Sequence, residues 1–372
     1  MTIPRIPLTR PLTDFDDVAE DFRRIVESGI LTGGPFVAGF EADVAAYVGA
    51  THAVATTSAT TALHLVMIAS GLGRGDEVLV SDFTFPASGN TIAQCGALPV
   101  LVDCLPDSFL LDLDHAETLV TSRTRALMVV DPFGQPCDLD GAAALAERHG
   151  LLLIEDAACA LGAHRGERRC GSWPGAGCFS FHPRKIITTG EGGMVTTSDA
   201  NLAERMRLLR SHGGVRTPVG LQFEEHGFNY RLSELQAALG RAQMLRLEEM
   251  LAGRRTAAQA YECALAPLED LDLPVSQGPG STFQSFVVML RDGIDRDQVT
   301  VAMRDAGIET TLGTYAMHAH PAFASYGYQP GDLPHSHRAQ RQSLTLPLWP
   351  AMSNDVIERV ATELSTALQK MR

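Results

Sequence analysis

The sequence is poor in the features that tie a chain to nucleic acid, membrane or an oxidising compartment. Its 30 Lys and Arg are outnumbered by 44 Asp and Glu, a net charge of −14. A nucleic-acid groove or an anionic membrane face needs basic patches, and neither partner is expected here. A local anion site stays open, because backbone amides build one without side-chain charge. The seven cysteines, Cys95, Cys104, Cys137, Cys159, Cys170, Cys178 and Cys263, contain no CxxC pair and are odd in number. No disulfide framework is expected, and a reducing cytoplasm is the default. No apolar run approaches membrane-spanning length, and Met1 to Arg10 lacks the apolar stretch of a secretion signal. Repeats and low-complexity tracts are lacking too.

What is present is an ordinary globular balance: 372 residues, 45% apolar and 20% charged, enough for two or three domains. Residues 14–28 predict an amphipathic helix, with Phe15, Val18, Phe22, Ile25 and Val26 at steps of three and four. Gly29 is its stop, and a Gly33-Gly34 turn leads to a second helix at 36–48. An alternation follows. Strands are expected at 53–56, 77–80, 98–102, 126–130, 151–155, 178–181 and 194–197, and helices at 60–70, 87–95, 114–120 and 141–149. Strands so uniformly apolar suit a parallel sheet covered by helices on both faces. Beyond residue 199 the pattern turns helical: 200–212, then one long helix at 233–252 capped by Ser233, then 253–266. The Pro- and Gly-rich stretch 267–280 is the candidate linker. A strand at 283–290 and helices at 296–306 and 355–370 make a smaller α+β domain. The division expected is 1–252 and 253–372.

Lys185 is the first candidate for chemistry. It follows a short apolar strand, precedes Ile186 and Ile187, and has no acid after it until Glu191. An amine shielded from water is more easily neutral, and so nucleophilic toward a carbonyl. Open α/β sheets bind ligands beyond the carboxyl ends of their strands, and three such ends bear on it. Thr57 to Thr61 offers small hydroxyls and free amides at a helix start. It is either an anion cup or a plain N-cap at Ser58 or Thr60. Asp156 ends a buried apolar strand and needs a donor or cation. It is either a strand-end cap or the partner of a pyridine nitrogen. Phe85 is either plain core or the cover of a flat ring. His318, His320, His335 and His337 lie on Pro- and Gly-rich segments without a carboxylate pattern, and no metal is expected. Cys159, Cys170 and Cys178, with His164, lack ligand spacing and are taken as packing residues.

Three stretches carry a resemblance: Ser-Phe-His-Pro-Arg-Lys185 with Thr-Gly-Glu-Gly-Gly193; Glu155-Asp156-Ala-Ala; and Gly227-Phe-Asn-Tyr-Arg-Leu-Ser-Glu-Leu-Gln-Ala-Ala238. Together they resemble the DegT/DnrJ/EryC1/StrS family of pyridoxal-phosphate (PLP) sugar aminotransferases, from about Ile30 to Met352. The resemblance implies the fold-type-I PLP transferase architecture. That is a mostly parallel seven-stranded sheet flanked by helices, with an N-terminal arm and a smaller α+β C-terminal domain. It implies that Lys185 condenses with the PLP aldehyde and shuttles the proton. Asp156 would pair with the pyridine nitrogen, and Phe85 would stack on the ring. Ala59, Thr60 and Ser180 would bind the phosphate. Asn229 would reach the phosphate of a neighbouring subunit's cofactor, which implies a homodimer with shared sites. Two positions depart from the pattern. Ala59 stands where glycine is usual, and alanine does not take positive φ cheaply. Cys159 stands where Gln or His is frequent, and a thiol is a weaker partner for cofactor or substrate. L-Glutamate (or glutamine) is the implied amino donor, and the acceptor is a keto group on a nucleotide-linked sugar. The alternatives are a keto-cyclitol or other natural-product ketone, or a PLP-binding protein without turnover. Arg231 is a candidate for a carboxylate or phosphate, or else the ion-pair partner of Glu234. His318 is a candidate contact to the sugar.

Overall fold

The computed structural model describes residues 5–273, 280–329 and 331–371. Its centre is a seven-stranded sheet. From edge to edge the strands are His52–Thr56, Gly193–Thr197, Ala176–Ser180, Leu152–Asp156, Thr124–Val130, Glu77–Ser81 and Leu98–Val102. Every neighbouring pair is parallel except those made by Gly193–Thr197, which runs against both of its partners. Successive residues of a strand point to opposite faces, so an all-apolar strand feeds two cores. Leu79, Leu127, Val129, Leu153 and Phe179 pack on one side with helices Pro35–Val48, Leu139–His149 and Glu234–Met244. Val78, Val80, Met128, Ile154 and Cys178 pack on the other with helices Ala59–Ala69, Ala87–Gln94 and Ala200–Arg210.

A four-stranded antiparallel sheet follows, ordered Leu271–Asp272, Phe286–Leu290, Ser343–Leu346, Thr311–Leu312. Helices Leu247–Leu265, Arg296–Asp305 and Asn354–Gln369 share its core. Ile6 is buried in this same core, and its backbone bonds to Gly307 and Glu309. Ile6 thus packs with the C-terminal unit rather than with the large sheet.

The helix expected at 14–28 begins only at Ala19. The helix break expected at 252–253 is at Leu245–Arg246 instead, and helix Leu247–Leu265 runs through the expected division. Gly253 is no stop: a Cβ there would meet the Pro350 carbonyl oxygen at 2.3 Å, so the glycine answers to close packing. Of the expected linker, Leu271–Asp272 is an edge strand, and residues 274–279 lie outside those described.

Glu234 joins the two halves of the N-terminal layer. Its carboxylate is buried and accepts the backbone N–H groups of Gly34 (3.0 Å), Phe36 (2.8 Å) and Val37 (3.0 Å). It therefore caps helix Pro35–Val48, whose N-cap residue, Gly34, has no side chain to do so. Three charge-assisted bonds to one buried group predict that Glu234→Ala lowers stability by about 3 kcal/mol, readable in denaturant melts. A loss below about 1 kcal/mol would contradict this assignment.

Candidate active site

The sheet's register brings the first site elements together. Thr56, Gly193 and Ser180 lie side by side across three strands at their site end. The chain leaves Thr56 into helix Ala59–Ala69, whose cap is Ser58. Its Oγ accepts the Thr61 N–H, while Thr61 Oγ1 accepts the Ser58 N–H. The N-cap is therefore Ser58 and not Thr60, which leaves Thr60 facing a cavity. Gly193 lets this turn approach: a Cβ there would meet the Ser58 carbonyl at 2.3 Å and the Ala59 nitrogen at 2.7 Å. Ala59 is the first residue of the helix and has no positive φ, so alanine in place of the usual glycine brings no strain.

The cavity encloses about 290 Å³. Ala59, Thr60, Phe85, Asp156, Cys159, Ser180 and Lys185 all line it. Asp156 ends strand Leu152–Asp156 and is buried. Ser88 donates its hydroxyl to Asp156 Oδ2 at 2.7 Å, and the Ala158 N–H donates to Oδ1 at 3.3 Å. Burial pushes the Asp156 carboxyl up; Ser88, the Ala158 amide and the charge of Lys185 pull it back. Phe85 is 65% exposed at the cavity wall, which is not the behaviour of a core residue. Lys185 is half-buried and donates to Cys159 Sγ at 3.1 Å. Its loop is held from behind by Gln243, which accepts the Thr188 N–H (3.0 Å) and donates to the Thr188 carbonyl (2.6 Å).

The residue types fit PLP. A helix start with free amides and hydroxyls suits a phosphate, the buried acid suits a protonated ring nitrogen, and the amine suits an aldehyde carbon. Cys170 and Cys178 are buried, as packing residues should be, whereas Cys159 stands in the cavity.

Two site residues from the sequence lie elsewhere. Asn229 is exposed, and Arg231 lines a separate groove of about 890 Å³ with Arg210, His212, Arg216 and His226. Arg231 Nη1 donates to Ser211 Oγ at 3.2 Å, and Glu234 is occupied by backbone amides, so the ion pair between them does not form. His318 lies elsewhere as well. Its side chain has no exposure and does not line the cavity. Its Nδ1 is 2.6 Å from Asp82 Oδ2, a contact that holds the ring inward.

Residues that the sequence did not single out complete the site. Ser88 braces Asp156; Gln284, Ser285 and Thr314 reach the cavity from the C-terminal unit. Asp131 also lines it, beside a second buried acid. Asp131 Oδ2 and Glu155 Oε1 are both buried without a partner. Ligand-capable atoms of Asp131, Glu155 and Cys170 lie within 4.8 Å of one another. Burial pushes both carboxyls up, and the charge of Asp131 pushes Glu155 further, so the pair holds a proton more tightly than free carboxyls do. The folded state thus binds more protons than the unfolded one. The stabilisation is full below the ordinary glutamate range and is lost as pH rises toward the raised value. Glu155→Gln is expected to flatten the fall of Tm with rising pH; an unchanged slope would contradict the shared proton.

Comparisons with known proteins agree with this geometry. A model of the DegT/DnrJ/EryC1/StrS aminotransferase family matches residues 14–365. GDP-perosamine synthase of Caulobacter vibrioides is 40% identical over 370 residues, 98% of this chain and 99% of that one. The crystal structure of DesV from S. venezuelae is 36% identical, with a TM-score of 0.89 over 98% of each chain. A structure of DesI with its TDP-sugar product is 33% identical, with a TM-score of 0.91 over 100% of this chain and 95% of the other. The chain is an aminotransferase and belongs to the DegT/DnrJ/EryC1/StrS aminotransferase family.

Proposed function

We propose that the protein moves an amino group from L-glutamate, or glutamine, to the keto carbon of a nucleotide-linked sugar, with PLP held at Lys185. The observation that carries this reading is the placement of Lys185, Asp156 and the Ala59–Thr60 helix start around one cavity. PLP bound there supplies the aldehyde carbon that takes up the nitrogen and the ring that withdraws electrons from the substrate carbon. Lys185 anchors the cofactor and, once released, carries the proton to and from the substrate carbon. Asp156 keeps its carboxylate against the ring nitrogen, and Ser88 orients that carboxylate. The amides of Ala59 and Thr60 and the hydroxyls of Thr60 and Ser180 receive the phosphate. Phe85, on the cavity lining, would cover the ring and exclude water.

The nucleotide-linked acceptor is supported by the relatives, one named for a GDP sugar and one solved with a TDP sugar. Asn229 and Arg231 point to a homodimer. Neither lines this chain's cavity, and the basic groove lined by Arg231 suits a phosphate brought by a second copy. The test is a spectrum followed by an acceptor screen. Protein reconstituted with PLP is expected to absorb in the visible and to bleach when L-glutamate is added. Conversion of glutamate to 2-oxoglutarate should then pass one equivalent per site only when a keto-sugar nucleotide is supplied. Turnover with keto-cyclitols alone would replace the acceptor class, and no bleaching with any amino acid would overturn the transaminase reading of this site.

A further inference from the structure

Cys159 and Lys185 meet in a way that transamination does not require. Lys185 Nζ is 3.1 Å from Cys159 Sγ, and both side chains line a cavity that opens to solvent. The other thiols differ. Cys104, Cys137, Cys170 and Cys178 are buried, and burial pushes each thiol up, away from the reactive thiolate. Cys95 is half-buried and pushed up by the same cause. Cys263 is exposed on helix Leu247–Leu265. The chain has two lysines, Lys185 and Lys370, and Lys370 follows the final helix Asn354–Gln369, so the cavity pair is Cys159 with Lys185 alone.

We propose that Cys159 and Lys185 form a reversible sulfur–nitrogen bond under peroxide, closing the site whenever the lysine amine is not bonded to cofactor. Peroxide first oxidises the thiol: the Cys159 thiol and hydrogen peroxide give the sulfenic acid and water. The neighbouring amine then attacks sulfur. The neutral Lys185 amine displaces the sulfenic hydroxyl, a nitrogen–sulfur bond forms as the sulfur–oxygen bond breaks, and the hydroxyl leaves with one amine proton as a second water. The sulfur loses two electrons and the peroxide takes them. Two equivalents of an external thiol reverse the step, releasing the cysteine thiol and the lysine amine and leaving one external disulfide. At the observed separation the amine stands in contact with the oxidised sulfur, so the linkage outruns further oxidation of Cys159. The amine is free in the cofactor-free chain and in the amino-loaded form of the cofactor, so these are the sensitive states. Protection by the bound aldehyde form rests on the function proposed above; the linkage itself does not.

The test uses the full-length chain, cofactor-free and PLP-loaded, with Cys263→Ser in the background to remove the exposed thiol. Hydrogen peroxide on the cofactor-free protein is expected to lower the intact mass by ~2 Da, the loss of two hydrogens. Trypsin should then fail to cut after Lys185, and a peptide joining residues 159 and 185 should appear and vanish with excess thiol. Lys185→Ala should give no linkage, and Cys159 should instead gain ~32 Da as the sulfinic acid. A sulfenic or sulfinic acid at Cys159 with normal cleavage after Lys185 would overturn the inference. PLP loading is expected to slow the linkage at least tenfold. A linkage that forms equally fast with PLP present leaves this inference standing and counts against Lys185 as the cofactor's anchor.

Discussion

Lys185→Ala is expected to lower kcat by about 10⁴-fold or more, while the protein still folds. One atom does two jobs. Lys185 Nζ is the lysine amine in the cavity, and in the function proposed above it both bonds the cofactor aldehyde and moves the substrate proton. Losing a general acid–base alone removes about 10²–10⁴ in rate, and losing covalent anchoring comes on top of it. About 10⁴-fold corresponds to about 5.5 kcal/mol of transition-state stabilisation. Folding should be spared, because Lys185 is half-buried and its loop is held by other groups: the Thr188 backbone on Gln243 and the Thr189 N–H on the Phe181 carbonyl. The measurement is single-turnover conversion of L-glutamate to 2-oxoglutarate, with a thermal melt as the folding control. Substantial residual turnover in a well-folded variant would remove Lys185 from its assigned role.

Asp156→Asn is the second large effect, expected at about 10³-fold in kcat. The asparagine keeps the shape and a hydrogen bond but not the charge, so it cannot hold a proton on the ring nitrogen. The strength of that interaction follows from burial. Asp156 is buried, with a hydroxyl and an amide as its hydrogen-bond partners, and burial alone pushes its carboxyl up. A cationic ring nitrogen in this place meets a poorly solvated carboxylate, and the attraction is far larger than at a surface. The loss should fall on kcat more than on KM for the amino acid, because the ring charge matters most as the substrate carbon loses its proton. A drop of less than about tenfold would mean that the ring nitrogen does not rely on this carboxylate. Ser88→Ala should give a smaller loss in the same direction, since the carboxylate keeps its charge and loses one orienting bond.

Much of the fold was legible because its strands are apolar on both faces and its helices repeat at 3.6 residues. Leu98–Val102 was placed to the residue, and strands such as His52–Thr56 and Glu77–Ser81 to within one. Lys185, Asp156 and the helix start at residues 57–61 could be singled out because a sheet of this kind presents its strand ends to the ligand, and these ends carry unusual residues; Ser180 and Ala59 followed from the family resemblance. Less legible was anything set by contact between distant segments. The helix break at Leu245–Arg246 has no proline or glycine to announce it, while Gly253, which looks like a stop, packs on Pro350. Glu234, expected beside Arg231 from helical spacing, instead caps a helix two hundred residues earlier in the chain. His318, expected near a sugar, is drawn inward by Asp82.

The sequence by itself determined the class of chemistry. A lysine among apolar neighbours, an acid at a buried strand end and a hydroxyl-rich helix start are local features, and their residue types limit what they can do. Tertiary structure alone decided which of them share a cavity. It brought Asp131 and Gln284 to that cavity, set Ser88 behind Asp156, left Arg231 in a separate groove, and set the Cys159 thiol against the Lys185 amine. The physical reason is that hydrogen bonding and close packing act over a few ångströms in space, whatever the distance along the chain.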